Sequence, residues 1–155
     1  MLPASAKLSL NDIRCLLRDR YGIRERFLDE LRFIFRNDEI WVTTAPESDW
    51  ESIAPRSAGI RALRIMPRGI KPTSGFLAFL GEEIRTGLVD IDDQAAFEKL
   101  LLGRPWPSER ENGYVAVSFR GDVIGCGEVR HDQLRLLLAT GRRNALLHIL
   151  QRLPR

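Results

Sequence analysis

The side chains best suited to chemistry in this sequence are arginines, and the chemistry they favour is phosphate binding. The chain carries 24 lysines and arginines against 21 aspartates and glutamates. Its only lysines are Lys7, Lys71 and Lys99. The planar guanidinium group of arginine binds phosphate through two parallel hydrogen bonds and stacks on bases, which an ammonium group does not. Codon bias in a GC-rich genome explains the ratio of arginine to lysine equally well.

The basic residues are also segregated along the chain, which codon bias does not explain. Residues 56–75 contain five basic side chains and no acidic one. Residues 112–155 contain seven basic and three acidic side chains, whereas residues 76–111 contain four basic and eight acidic ones. We therefore take as candidate phosphate-binding residues Arg64, Arg68, Lys71, Arg120, Arg130, His131, Arg135, Arg142 and Arg143. Ordinary surface arginine is the competing interpretation for the second stretch.

Residues suited to catalysis are sparse. His131 lies in a predicted turn, where we expect it to be solvated, and His148 lies in an apolar run, where we expect it to be partly buried. Cys15 and Cys126 are far apart in the sequence and indicate neither a disulfide framework nor a zinc site. Cys126 lies in a strand pattern and is predicted to be a small buried residue.

Metal and cofactor sites are not predicted either. Asp90, Asp92 and Asp93 precede a predicted helix, whose N-terminal dipole favours acidic residues without any metal ion. No Gly-x-Gly-x-x-Gly motif opens a helix after a strand. We therefore expect a protein without catalytic activity, cofactor or metal.

The elements that position these residues differ between the two halves of the chain. In the first half, the spacing predicts a helix over 10–21 capped by Ser9 or Asn11, a short helix over 24–31, a hairpin of 33–35 with 39–44, a strand over 59–66 and a helix over 75–80. The strand alternation places Ile60, Ala62 and Arg64 on one face and Arg61, Leu63 and Ile65 on the other.

The second half is predicted to be richer in strands. We expect a strand over 85–91, a helix over 93–102, strands over 114–119, 123–129 and 133–138, and an arginine-rich loop over 139–144. Residues 145–153 form an apolar segment that periodicity assigns to neither helix nor strand. Gly125 and Gly127 indicate either a bulge or the close approach of another backbone or a ligand.

Length and composition set the class of protein. The chain has 155 residues, of which 44% are hydrophobic, which excludes a disordered chain. It has no apolar run long enough to span a membrane and no signal-peptide pattern, so we expect a cytoplasmic protein. The predicted class is α+β, with an N-terminal α/β domain over 1–82 and a C-terminal β-rich domain over 83–155.

The second half resembles a PUA domain. The resemblance rests on the strand of 85–91, the helix that ends at Leu102-Gly103-Arg104-Pro105, the strand that begins Gly113-Tyr114-Val115, and the strand that contains Gly125-Cys126-Gly127. The chain is most similar to the region that follows the catalytic domain of Sun/Fmu-type RNA cytosine methyltransferases, and to stand-alone ribosome-biogenesis proteins with a pre-PUA and a PUA domain.

This resemblance implies an α/β pre-PUA domain followed by a β pseudobarrel that binds structured RNA, either rRNA or tRNA. Carried over residue by residue, it places the RNA contacts at Gly125, Gly127, Arg130, Arg142 and Arg143. The chain departs from the family after the barrel strands, where Ala139-Thr140-Gly141-Arg142-Arg143 replaces Pro-Lys-Gly-x-Arg. The methyltransferase domain and its cysteine nucleophile motif are absent from this sequence.

A different class of function is a module that binds protein. It would dock on an RNA-modifying enzyme, such as an RNA methyltransferase, or on a ribosomal protein, with Trp41, Trp50 and Trp106 as anchors. Packing in the core, or at its edge, is the competing interpretation for all three tryptophans.

Overall fold

The computed structural model describes residues 8–44 and 59–154, which form an α+β chain with two β-sheets. The first sheet is antiparallel, in the order β1-β2-β3-β4, with β1 at Arg32–Arg36, β2 at Glu39–Thr43, β3 at Ile60–Met66 and β4 at Gly69–Pro72. The predicted α+β class is confirmed at this level.

The second sheet has the order β5-β7-β8-β9-β6 and curls into a half-barrel. Its strands are β5 at Leu88–Ile91, β6 at Trp106–Pro107, β7 at Gly113–Phe119, β8 at Asp122–Arg130 and β9 at Gln133–Leu136. The helices are α1 at Leu10–Tyr21, α2 at Glu25–Leu28, α3 at Ser74–Leu80, α4 at Gln94–Leu101 and α5 at Thr140–Leu150. A single 3-10 turn covers Gly81–Glu83.

Helix α1 begins and ends where its sequence predicts. The Ser9 hydroxyl accepts the Asp12 N–H at 3.2 Å, and the Asp12 carboxylate accepts the Ser9 N–H at 2.8 Å, which completes a capping box. Gly22 ends the helix with a φ of +68°, a conformation that glycine adopts without strain. The predicted hairpin is also confirmed, since β1 and β2 pair across Asn37.

Strand β3 differs from the predicted alternation because it contains a β-bulge. The pairing with β2 shifts register between Ile40 and Trp41, so that Ala62 is inserted between the paired residues Arg61 and Leu63. Both Ala62 and Leu63 are fully buried. The predicted division of faces is therefore wrong, because the extra residue brings Arg61 to the same face as Arg64.

Strand β4 and helix α5 were not predicted. Pro67-Arg68 forms the two-residue turn after β3, and the chain then pairs back along β3 through Ile70 and Pro72. The predicted loop over 139–144 is wrong: these residues enter α5, which continues through the apolar segment that periodicity left unassigned. Helix α5 lies beside α4, and the Gln94 amide donates to the carbonyl of Leu150 at 3.1 Å.

Two apolar cores hold the elements together. The first contains Ile13, Tyr21, Leu63 and Phe76, and it extends into the second sheet through Tyr114, Ala116 and Cys126. The second lies between the other face of that sheet and helices α4 and α5. The predicted boundary at 82/83 falls between the last strand of the first sheet and the first strand of the second sheet. The first core, however, contains residues from both sides of this boundary.

Helix α1 is also tied to the second sheet by polar contacts. The Tyr21 hydroxyl donates to the carbonyl of Tyr114 at 3.0 Å, and the Arg20 guanidinium donates to the same oxygen at 3.1 and 3.2 Å. Burial is the main cause that raises the pKa of Tyr21. Among the described residues, none of the helices has the length and apolar character needed to cross a membrane.

Candidate nucleic-acid interface

A cleft of about 360 Å³ lies between the turn that joins β3 to β4 and the hairpin of β8 and β9. It brings together four of the predicted phosphate-binding residues, one from the first sheet and three from the second. The residues that line it are Arg68, Glu128, Arg130, His131, Gln133 and Arg135. We call this group the basic cleft.

The strand register explains why the side chains from β8 and β9 meet. Glu128 pairs with Arg135, and Arg130 pairs with Gln133. Paired residues on antiparallel strands lie on the same face, and so do residues two apart on one strand. The buried apolar residues Val129 and Leu134 between them pack into the second core. The four polar residues of β8 and β9 therefore lie on the other face of the second sheet, the one that is turned towards the first sheet.

The chain after β4 is held against the middle of β8, which brings Arg68 to the cleft. The Ser74 hydroxyl accepts the N–H of Cys126 at 3.0 Å, and Thr73 caps α3 by accepting the N–H of Phe76 at 3.1 Å. The turn that carries Arg68 then reaches over the end of β8. The Arg68 guanidinium lies 3.7 Å from the carboxylate of Glu128.

Among the described residues, Glu128 is the only acidic side chain that lines the cleft. It is more enclosed than Arg68, its partner in the ion pair. Its side chain is 13% exposed, against 53% for Arg68. The pKa of Tyr114 is raised mainly by burial and secondly by the negative charge of Glu128. The positive charge of Arg68 opposes this rise. Glu128 is thus an enclosed carboxylate that pairs with Arg68 and shares the cleft with Arg130 and Arg135.

The β8–β9 turn holds His131 at the rim. His131 and Asp132 both have positive φ values, +51° and +61°, which is the geometry of a two-residue turn that follows the twist of the strands. His131 is exposed, as predicted. It adds an imidazole ring to the mouth of the cleft.

Two further predicted residues lie next to the cleft on the first sheet. Arg64 and Lys71 form the third residue pair of the β3–β4 hairpin, counted from the turn that carries Arg68. Lys71 is close enough to Cys126 for its charge to oppose the rise in that thiol's pKa, which burial takes to about 12. Cys126 is fully buried, as predicted, and at neutral pH it is a protonated thiol.

Arg120 does not join the cleft. It follows β7 at the opposite end of β8 from Arg130, a separation of about 25 Å along a nine-residue strand. Its guanidinium lies 4.8 Å from the centre of the Phe119 ring and donates to the carbonyl of Asp92 at 3.2 Å. The expected convergence of all the basic turns is therefore wrong, because successive hairpin turns lie at alternate ends of an antiparallel sheet.

Arg142 and Arg143 lie in the first turn of α5 and do not line the cleft. Arg143 donates to the carbonyls of Leu136 at 2.7 Å and Leu138 at 3.1 Å. Its guanidinium therefore stabilises the exit from β9, and the predicted phosphate contact at Arg143 does not agree with this role. Arg142 is exposed.

Gly125 and Gly127 are buried, so the predicted contact of these glycines with RNA is corrected. A Cβ atom at Gly125 would lie 2.5 Å from the Ser74 hydroxyl and 2.6 Å from Leu138, and one at Gly127 would lie 2.8 Å from Val117. The predicted approach of another backbone is wrong for Gly125, whose close neighbours are side chains, whereas at Gly127 the added Cβ would also lie 3.1 Å from the carbonyl oxygen of Arg135. The predicted bulge is also present, since the β7–β8 pairing shifts register next to Gly125.

The residues that could have suggested catalysis have structural roles. Asp93 caps α4 by accepting the N–H of Ala96 at 3.1 Å, and Asp90 accepts the Ser118 hydroxyl at 2.5 Å and the Gly121 N–H at 3.0 Å. His148 is exposed, contrary to the prediction, and lies 2.9 Å from Arg152. Within residues 8–44 and 59–154, no three His, Cys, Asp or Glu side chains are grouped to hold a metal ion.

The tryptophans differ in their surroundings. Trp106 pairs with Leu134 and packs against the second core, as its competing interpretation predicts. Trp41 is half-buried on the face of the first sheet that carries Arg61 and Arg64. Trp50 lies outside the described residues.

Sequence reasoning missed Glu128 and Gln133. Glu128 lies two residues before Arg130 on a predicted strand, so the alternation already placed the two side chains on one face. The position of Gln133 depends on the turn at His131 and on the pairing register, which the sequence alone does not provide.

Neither protein-family models nor the sequences of curated proteins match this chain.

Proposed function

We propose that this protein binds structured RNA through the basic cleft and catalyses no reaction. The observation that carries the proposal is the meeting of Arg68 from the first sheet with Arg130, His131 and Arg135 from the second. Arginines that project from two hairpins into one concave surface suit the phosphates of a folded strand, because guanidinium groups bind phosphate oxygens in pairs.

The resemblance to PUA domains supports this proposal. The motifs of the resemblance include the β7–β8 hairpin, whose β8 strand ends at Arg130 in the cleft. We accordingly propose a PUA-like identity for residues 83–155 and a pre-PUA identity for residues 1–82. A role in ribosome biogenesis or in RNA modification, with rRNA or tRNA as the ligand, follows from the same proposal.

The placement of charge supports a ligand with several negative charges, such as RNA. The cleft contains three arginines around one enclosed carboxylate, whereas a second cleft, of about 320 Å³, has Asp92, Asp93 and Glu98 in its lining beside Arg120. A phosphate backbone brings one negative charge per nucleotide, so its binding releases counter-ions and weakens steeply with salt.

A filter-binding titration of an RNA stem–loop tests the proposal. We expect the Arg130→Ala, Arg135→Ala double variant to bind more weakly than the wild type, with a shallower dependence on salt. The matched control is Arg26→Ala with Arg85→Ala, which removes the same charge from exposed residues outside the cleft. Equal loss in both variants, or no loss in either, would exclude the cleft as the RNA site.

A further inference from the structure

The first sheet has one face in the first core, with Ile40 and Leu63, and an opposite face that we call the outer face. The outer face carries a second group of cations, which the basic cleft does not include. One row of residues in register crosses all four strands: Arg36 pairs with Glu39, Glu39 with Arg64, and Arg64 with Lys71. Paired residues lie on one face at a spacing of about 5 Å between strands. Three cations therefore flank one carboxylate across the width of the sheet.

The bulge at Ala62 adds Arg61 and Trp41 to this face. Arg61 pairs with Trp41, and its guanidinium lies 2.9 Å from one oxygen of Glu39. The Trp41 Nε1–H donates to the other oxygen of Glu39 at 3.3 Å. Without the inserted residue, Arg61 and Arg64 would lie on opposite faces of β3, because they are three positions apart.

The surroundings of Trp41 leave part of its ring available for a ligand. Trp41 is half-buried rather than enclosed, and the Glu39 hydrogen bond fixes the orientation of the indole. The neighbouring cations Arg61 and Arg64 are exposed, and Lys71 is half-buried. An oriented aromatic ring among arginines is the combination that binds single strands, since bases stack on the ring while the cations follow the phosphates.

We propose that this face, formed by Trp41, Arg61, Arg64 and Lys71, is a second site, which binds a single-stranded segment of nucleic acid by stacking an unpaired base on Trp41. The proposal goes beyond the basic cleft, because it concerns the other sheet and an unpaired ligand. The two sites are adjacent, since the β3–β4 hairpin carries Arg68 at its turn and Arg64 and Lys71 along its strands. An RNA stem in the cleft could thus continue as a single strand over the sheet.

Glu39 sets the strength of this site. The Arg61 guanidinium holds the pKa of Glu39 below its ordinary value, with a smaller contribution from the Trp41 hydrogen bond, so the carboxylate stays charged and occupies Arg61. A phosphate that binds Arg61 must compete with Glu39. Glu39→Gln removes this competition and keeps a carbonyl oxygen that can accept the Trp41 N–H.

The test is the fluorescence anisotropy of a labelled oligouridylate of about a dozen nucleotides. Trp41→Leu should weaken binding between about fivefold and 150-fold, because stacking contributes about 1–3 kcal/mol per base, and Trp41→Phe should restore most of the affinity. Arg64→Ala should lower the salt dependence, whereas the exposed Arg85→Ala should not. Glu39→Gln should bind more tightly than the wild type.

A second readout avoids any loss of fold in the Trp41 variants. In a Trp50→Phe, Trp106→Phe chain, the oligouridylate should quench the fluorescence of the remaining Trp41. Unchanged fluorescence, or a Trp41→Leu variant that binds as the wild type does while Arg64→Ala weakens binding, would overturn the proposal and indicate a surface that attracts acidic partners by charge alone.

The two proposals fail separately. Arg130→Ala with Arg135→Ala should weaken the stem–loop and spare the oligouridylate, whereas Trp41→Leu should do the reverse. If the cleft variants abolish oligouridylate binding and Trp41→Leu does not, the second site is excluded while the cleft stands.

Discussion

The guanidinium of Arg68 lies 3.7 Å from the carboxylate of Glu128, and this contact joins the turn of one sheet to the strand of the other. Arg68 is more than half exposed, so the pair contributes at most about 1 kcal/mol to the free energy of unfolding. Its larger effect is on the cleft, because Glu128 also pairs in register with Arg135 and lies two residues from Arg130. The carboxylate therefore reduces the positive potential that a phosphate meets.

Glu128→Gln should raise the affinity for stem–loop RNA. The substitution removes the negative charge among the three arginines and preserves the shape of the side chain, so we expect a gain of about fivefold, which corresponds to about 1 kcal/mol. Filter binding at fixed salt measures it. Weaker RNA binding by a Glu128→Gln variant that unfolds at the same temperature as the wild type would show that Glu128 positions the arginines rather than competing with the RNA.

Arg143→Ala should lower stability without changing the salt dependence of RNA binding. The variant loses hydrogen bonds to the carbonyls of Leu136 and Leu138, at a cost of about 1–3 kcal/mol in the free energy of unfolding. Urea denaturation checks the loss. The exposed neighbour provides the control, since Arg142→Ala should change stability by no more than about 0.5 kcal/mol. A reduced salt dependence in Arg143→Ala would return this residue to the RNA site.

Gly125→Ala should destabilise the protein because the start of α3 and the side chain of Leu138 pack against β8 at this position. The added Cβ would meet the Ser74 hydroxyl and Leu138 at contact distances that require both to move, and such overpacking costs about 1–3 kcal/mol. Gly141→Ala is the matched control, since the space around it is open and the position is helical. It should raise stability by about 0.4–1 kcal/mol. Thermal unfolding of both variants decides the point, and equal midpoints would contradict the packing argument.

The stability of the protein in acid should depend on Asp90. Hydrogen bonds from the Ser118 hydroxyl, and then from the Gly121 N–H, lower the pKa of Asp90 below its ordinary value of 3.8. A carboxyl with a lowered folded-state pKa stabilises the fold above its unfolded pKa and loses that contribution as the pH falls through the folded value.

Ser118→Ala removes the larger of these two causes. The pKa of Asp90 should then rise towards 3.8, the free energy of unfolding near neutral pH should fall by about 1 kcal/mol, and its dependence on pH below 4 should become shallower. Carbon-detected NMR titration of the carboxyl groups measures the pKa directly. A pKa of Asp90 that does not change in Ser118→Ala would contradict this account.

The sequence predicted the elements whose signals are local. Ser9, Asp12 and Gly22 mark both ends of α1, and the short apolar run from Tyr114 to Phe119 marks β7, because each of these patterns depends only on neighbours along the chain. The convergence of Arg130, His131 and Arg135 also followed from a predicted hairpin. These three predicted residues lie together at the end of the sheet where β8 turns into β9, and their contact with RNA stays a prediction.

What the sequence did not predict depends on contacts between distant residues. The face of Arg61 depends on one inserted residue, Ala62, whose position is set by the pairing with β2. Helix α5 begins in Thr140-Gly141, which by itself favours a loop, and it is held by Arg143 and by packing on α4. The separation of Arg120 from Arg130 follows from sheet topology, which composition and charge do not encode.

The salt dependence of stem–loop binding in single and double arginine variants shows whether the two sheets hold one RNA backbone between them. If Arg68 and Arg135 face one phosphate backbone from two sheets, each alanine variant should lower the slope of the logarithm of affinity against the logarithm of salt by about one, and the double variant by about two. Arg120→Ala should leave the slope unchanged. A slope that changes with Arg120 and not with Arg68 would contradict the account.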